Sequence, residues 1–200
     1  MKRIDVALKW PLVYRLWMRT HADKKLIPIM THNDVGRARR VLDVGCGPGT
    51  NAPYFSHTDY LGIDLNERYI RDARSRYNRR FQVGDAANLQ VLSHEQFDFI
   101  LINSLLHHID ISATRRLLSH LPVLLADGGH VHIIELVLPA KFSLPFILAR
   151  ADRGDYVRPT NEWHHIFNEY FTEVVFEPFD VSVCGIAFWN LVYFKGKAQR

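Results

Sequence analysis

The sequence predicts an α/β fold: a seven-stranded, mostly parallel sheet with helices on both faces and a C-terminal antiparallel hairpin. Three observations carry this. Short, almost wholly apolar runs alternate with helix-periodic segments along most of the chain, the pattern of parallel strands buried on both faces. The first of these runs opens directly into a glycine-rich turn, DVGCGPGT. The last two runs follow one another with no helical segment between them, so they pair as a hairpin. With 200 residues, 48% hydrophobic and 23% charged, the chain reads as one domain that needs neither disulfide nor metal to bury its core.

Taken in order, Trp10, Val13, Tyr14, Trp17 and Met18 recur at helical spacing. They predict an amphipathic helix ending before Pro28, within a helical cap over 1–39. The first strand is Arg40 to Val44, followed by the glycine turn and a short helix. The second, Tyr60 to Ile63, ends at Asp64; the third is Phe81 to Val83 and the fourth Phe97 to Ile102. Leu117, Leu118, Leu121, Leu124 and Leu125 mark the next helix, which Pro122 should kink, and Asp127-Gly128-Gly129 turns into a fifth strand, His130 to Leu138. The segment from Pro139 to Pro159 is an insertion carrying Phe142, Phe146 and Tyr156 among Arg150, Arg153 and Arg158, and is read as a substrate lid. Its arginines either bind an anionic group on a substrate or pair with Asp152 and Asp155. Thr160 is placed as the cap of a helix bearing Trp163, Ile166, Phe167 and Tyr170. Strands at about Thr172 to Phe176 and Ile186 to Lys195 complete the sheet.

The bulk properties exclude several classes. A formal charge of +4 is too modest to identify a partner. Arg68, Arg71, Arg74, Arg76, Arg79 and Arg80 are the strongest sign of nucleic acid, but their spread around the helix after the second strand suits a solvated face, and no RNA-binding motif accompanies them. No run is long and apolar enough to span a membrane, though the positive charge is compatible with peripheral contact. The N-terminus lacks a small-residue cleavage signal. With only Cys46 and Cys184, and Cys46 inside the glycine turn, a reducing, cytoplasmic setting is expected. His164 and His165 read as surface histidines. His130 and His132 share a strand face without a third ligand, so no metal is expected. The oligomeric state is read as monomer or homodimer.

The glycine turn carries the functional reading. Glycines let the backbone approach a ligand closely, and amides at the start of the next helix face an anionic group, so a nucleotide-like cofactor is implied. Asp43, two residues before the first glycine, would oppose a pyrophosphate but suits an ammonium group. Asp64, ending the second strand, can accept both ribose hydroxyls. Asp85 can accept from an adenine amino group. The GxGxG spacing, with Thr50 in sixth place, disfavours NAD.

At these positions the chain resembles class I S-adenosylmethionine-dependent methyltransferases, with a Rossmann-like fold, specifically the type 11 group and the small-molecule O-methyltransferases. The resemblance runs from about Val41 to Glu135 through VLDVGCGPGT, YLGIDLN, VGDAANL, FDFILINSLLHHID and LLADGGHVHIIE, in family order. It implies S-adenosyl-L-methionine as cofactor. Asp43, Gly45, Cys46, Gly47 and Gly49 would hold its methionine end, Asp64 and Leu65 the ribose, Asp85 and Ala86 the adenine, and Asn103 and Ser104 would lie beside the sulfonium.

Methyl transfer from a sulfonium is an in-line displacement, so the protein mainly aligns the acceptor and removes its proton. The resemblance makes His107 the first candidate base and His108 the second, against the plain reading in which both only pack or bind backbone. Glu135, Tyr156 and Arg158 are candidate acceptor contacts. The expected reaction is methylation of a small organic molecule, at oxygen for preference. An RNA or protein methyltransferase, or a methyltransferase-fold cyclase that transfers no methyl, are the alternatives.

Overall fold

The computed structural model describes residues 23–199, except Ser93, Arg153 and the side chains of Gln90 and Val91. The expected helix around Trp10 to Met18 lies outside the described residues. Among the described residues there are seven strands: β1 Arg40–Val44, β2 Asp59–Asp64, β3 Arg80–Val83, β4 Phe97–Asn103, β5 Leu125–Leu136, β6 Phe171–Val183 and β7 Ile186–Ala198. They form one sheet in the order β3-β2-β1-β4-β5-β7-β6. The first five run parallel, and β7 pairs antiparallel with both β5 and β6. The chain enters mid-sheet at β1, builds outward to β3, then returns to the far side of β1 as β4. The direction of build-up therefore reverses between β1 and β4, the switch point where an open α/β sheet offers its ligand crevice beyond the carboxyl ends of the strands. Its floor is level: Val44 is paired with Ile63 of β2 and with Ile102 of β4.

Alternation along each strand feeds two cores. Leu42, Val44, Ile100 and Ile102 face the side covered by α3 (Ile111–Leu124) and α5 (Thr160–Asn168). Val41, Phe99 and Leu101 face the side covered by α1 (Ile27–His32), α2 (Glu67–Arg76) and α4 (Leu144–Ala151). Trp163, Ile166 and Phe167 are buried, as their spacing on α5 predicts. Asp110 caps α3 by accepting from the Ala113 amide at 2.8 Å, and Asn66 caps α2 by accepting from the Arg68 amide at 3.0 Å.

Several boundaries differ from the sequence reading for identifiable reasons. Pro28 does not follow the end of helical structure; it sits in the first turn of α1, where its missing amide costs nothing. Thr160 is the first helical residue of α5 rather than its cap, and its side chain makes no capping bond. Pro122 stands in the last turn of α3, which ends two residues later. β5 begins at Leu125, before Asp127-Gly128-Gly129, so those residues interrupt the ladder to β4 with a register shift instead of preceding the strand. Strands β6 and β7 reach 13 residues each. Pro178 lies within β6 and argues against so long a strand, but β6 is the sheet edge and the missing amide leaves no ladder bond unmade. Among the described residues no helix is long and apolar enough to cross a membrane.

Arg79 and Arg80 fall beyond α2, with Arg80 opening β3. Arg74 donates to the Phe81 carbonyl, Arg76 to that of Pro48, Arg79 to that of Thr58, and Arg80 pairs with Glu95. These side chains tie α2 and β3 to the sheet, around a recess of about 720 Å³.

Candidate active site

The crevice between β1 and β4 is built by the glycine turn. Gly45, Gly47 and Gly49 all have positive φ, and a Cβ added at Gly47 would project into space with nothing within 4 Å. That opening is the approach a cofactor needs. The turn is fixed from β2: the Gly45 and Cys46 amides donate to the Ile63 carbonyl at 2.8 and 3.0 Å, and the Gly47 amide donates to Asp64 Oδ2 at 2.8 Å. Asp64 Oδ1 accepts from the Asn66 amide at 2.8 Å. Cys46 is buried, and burial drives its thiol pKa far up, so it packs and does not react.

Asp43 is fully buried at the base of the turn. Burial raises its pKa to about 6, opposed by hydrogen bonds from Tyr60 and Asn51. Tyr60 Oη donates to it at 2.5 Å and Asn51 Nδ2 at 3.1 Å. A carboxylate buried this way, with only neutral donors bonded to it, suits a cationic ligand group such as an ammonium. From Asp43 a continuous chain crosses the crevice. Asn103 Nδ2 donates to Asn51 Oδ1 at 3.2 Å, Ser104 Oγ to Asn103 Oδ1 at 3.2 Å, and Lys25 Nζ to Ser104 Oγ at 3.0 Å. Leu65 lies 71% exposed just past Asp64. Asp85 and the half-buried Ala86 follow β3, where Asp85 Oδ1 accepts from the Ala87 amide at 2.8 Å. The glycines, Asp43, Asp64, Asn103 and Ser104 therefore converge on one crevice, with Asp85 at the end of the strand next to β2.

A second polar cluster stands beyond Ser104. Glu135 and His107 are buried and ion-paired through Nδ1. Glu135 also accepts from the Leu106 amide at 2.7 Å and the Leu136 amide at 2.8 Å. His107 Nε2 lies 3.3 Å from Asp152 Oδ1, on the segment after α4. Burial alone would lower the His107 pKa, but the charges of Glu135 and Asp152 outweigh it and raise it to about 9. Burial likewise opposes Asp152, yet the His107 bond and charge bring its pKa down to about 2. At neutral pH His107 is a cation with both nitrogens engaged, and neither is available to accept a proton. His108 is exposed beside it, their ring centroids 4.1 Å apart. Ligand-type atoms of His107, His108 and Asp152 lie within 4.8 Å of one another, with His107 already committed to the two carboxylates.

Residues 139–159 are pinned at both ends. Val137 bridges to Arg158, and the Leu138 amide donates to the Arg158 carbonyl at 2.9 Å. The Tyr156 amide donates to the His107 carbonyl at 3.0 Å. Gly154 packs so closely on His107 that a Cβ there would sit 2.5 Å from the histidine's carbonyl oxygen. Arg158 is buried, pairs with Glu162 at 3.2 Å, and lies over the Trp163 ring at 4.8 Å. Tyr156 is 42% and Phe142 80% exposed. Of the two carboxylates offered as arginine partners, Asp152 contacts His107. Lys25, Asn51 and Tyr60 escaped the sequence reading. Nothing in the local pattern around Lys25 or Tyr60 marks them, whereas Asn51, directly after the glycine turn, was placed to be found.

Elsewhere, His132 is buried, stacks on Phe99 and meets Tyr193 Oη at 3.0 Å, while His164 contacts Glu173 at 2.8 Å.

Comparison with known proteins agrees with this geometry. Residues 41–129 match the family described as a methyltransferase domain. An uncharacterized methyltransferase of Mycobacterium tuberculosis is 32% identical over 131 residues, 62% of this chain and 65% of the relative. A phthiotriol/phenolphthiotriol dimycocerosates methyltransferase of the same species is 33% identical over 116 residues, 53% of this chain and 40% of the relative. The chain thus spans less than two thirds of the length of these curated relatives. Among solved structures, the N-methyltransferase NodS of Bradyrhizobium japonicum, in complex with S-adenosyl-L-homocysteine, superposes with a TM-score of 0.69 at 19% identity, covering 91% of this chain and 87% of that one. A protein from Pyrococcus horikoshii gives 0.70 at 19%, covering 94% and 92%. Residues 41–129 thus match a methyltransferase domain, and the sheet order together with these superpositions shows a class I, Rossmann-like fold.

Proposed function

We propose that this protein is an S-adenosyl-L-methionine-dependent methyltransferase whose acceptor is a small organic molecule, methylated at oxygen. The observation that carries the reading is the pairing of an open glycine turn with two carboxylates of different character. Asp43 is buried and suited to an ammonium, while Asp64 is half-buried at the next strand end and suited to ribose hydroxyls. When bound, the cofactor supplies an electrophilic methyl group. The chain's residues bind it, orient the acceptor and manage the acceptor's proton.

In this reading His107 is a positioning residue. As an imidazolium held by Glu135 and Asp152, it fastens the 139–159 segment over the end of β4 and β5. Phe142, Leu144, Ile147 and Tyr156 leave apolar surface on that segment, which supports an aromatic or lipid-like acceptor. Glu135 and Arg158 act by holding this frame, being buried in it, and Tyr156 is the member of the predicted acceptor set with exposed surface. The arginines near β3 are committed to carbonyls and carboxylates, which gives no support to a nucleic-acid acceptor. Both cysteines are free, in keeping with a cytoplasmic enzyme.

Calorimetry with S-adenosylhomocysteine tests the cofactor assignment. Asp64→Ala should weaken binding by roughly 10- to 100-fold, since a charge-assisted hydrogen bond is worth ~1.5–3 kcal/mol. Unchanged affinity overturns the ribose contact.

A further inference from the structure

We propose that Lys25 is the base of the reaction, taking the proton that the acceptor hydroxyl gives up as its oxygen gains the methyl group. The inference rests on the cofactor reading above and deepens it. Lys25 belongs to a helical segment, residues 23–25, anchored on both sides of the crevice. Tyr54, just past the glycine turn, donates to Asp23. Lys24 donates to the Ser182 carbonyl of β6 at 2.6 Å. Between them Lys25 Nζ reaches Ser104 Oγ at 3.0 Å, the last link of the chain that begins at Asp43. The amine therefore stands at the tip of β4, where the sulfonium is expected.

Charge explains why a lysine serves there. Desolvation lowers the pKa of Lys25, against the opposing charges of Glu135 and Asp152. Those two carboxylates already hold His107 between them, which limits what they lend to the amine. A sulfonium nearby disfavours a second cation, so a bound donor pushes the amine further in the direction that desolvation already sets. In the step itself the acceptor O–H bond breaks and an N–H bond forms on Lys25. The new C–O bond forms as the C–S bond breaks, its electron pair remaining on sulfur. One positive charge leaves sulfur as one appears on Lys25, so the step adds no net charge to the pocket.

The test compares the affinities of S-adenosylmethionine and S-adenosylhomocysteine by calorimetry from pH 6 to 9.5, which needs no acceptor. The two share the groups that Asp43 and Asp64 hold and differ in the sulfonium charge, so their affinity ratio reports on cations near sulfur. For the unmodified protein the ratio should shift toward S-adenosylmethionine by roughly tenfold or more as pH rises. Lys25→Met should stay near the high-pH level, keeping only the small rise that loss of the His107 charge brings near pH 9. Lys25→Arg, which cannot shed its charge, should hold it at the low-pH level. A ratio independent of pH in the unmodified protein, or the same pH response in Lys25→Met, overturns the proposal. So does an equal loss of both ligands in Lys25→Met with recovery in Lys25→Arg, which would make Lys25 a partner of the cofactor carboxylate. Failure of both ligands to bind the unmodified protein would overturn the cofactor reading itself, and the role of Lys25 with it.

Discussion

Replacing His107 by glutamine tests the latch that fastens residues 139–159. Glutamine keeps a donor for Glu135 but removes the titrating group. A rise in pKa from the ordinary 6.5 to about 9 corresponds to roughly 3 kcal/mol, at ~1.4 kcal/mol per tenfold change in proton affinity. The folded protein holds this proton more tightly than the unfolded chain, so the contribution is complete below pH 6.5 and lost as pH rises through about 9. Other groups act elsewhere or cancel. Asp43, raised from 3.8 to about 6, acts at lower pH, as do His130 and His132, whose pKa values are lowered from 6.5. Lys25 acts in the opposite sense but is common to both proteins. Urea unfolding of the parent and His107→Gln should therefore show a stability gap of about 3 kcal/mol near pH 6 that shrinks to within about 1 kcal/mol by pH 9.5. A gap that stays constant across this range refutes the charged latch and leaves only packing.

Two further outcomes follow from the same frame. Gly154→Ala places a methyl group 2.5 Å from the His107 carbonyl oxygen, so it should cost ~1–3 kcal/mol and speed proteolytic nicking within 139–159; unchanged melting and cleavage would show that the contact yields freely. Because Asp43 must be ionised to hold an ammonium, affinity for S-adenosylhomocysteine should fall roughly tenfold per pH unit below its pKa of about 6. Asp43→Asn should bind weakly with a flat profile, and a flat profile in the parent would remove Asp43 from the site.

The parallel half of the fold is legible because each strand is a short apolar run closed by a turn residue. Arg40–Val44 matches the sequence reading residue for residue, and β2 and β4 differ only at their ends. Asp43, Asp64 and the glycines likewise stand at the strand ends where their spacing places them. What escapes is long-range. The hairpin is underestimated because β6 is an edge strand with an exposed face, so charge and Pro178 interrupt its pattern without interrupting its pairing. The contact of Asp152 with His107 depends on the insertion folding back past the end of β5 at Arg158. Lys25 reaches Ser104 across 79 residues of sequence, a contact no local pattern encodes.

Ser104 joins the two halves of the site. Its φ of 57° is left-handed without being glycine, a conformation that costs on the order of 1 kcal/mol and persists only where the surroundings fix it. Here they do: its amide donates to the Ile134 carbonyl at 2.8 Å, and its hydroxyl lies between Asn103 and Lys25. Relaxing Ser104 would swing the hydroxyl away and break the chain from Asp43 at its last link. The next residues, Leu106 and His107, are held by Glu135, so the backbone on either side of Ser104 is fixed by different groups: Ile134 and Asn103 on the donor side, Glu135 on the latch side. A strained tip held from both directions keeps the Ser104 hydroxyl where Lys25 meets it, so on the proposed role of Lys25 the latch, though it never touches the reacting atoms, helps to place the amine.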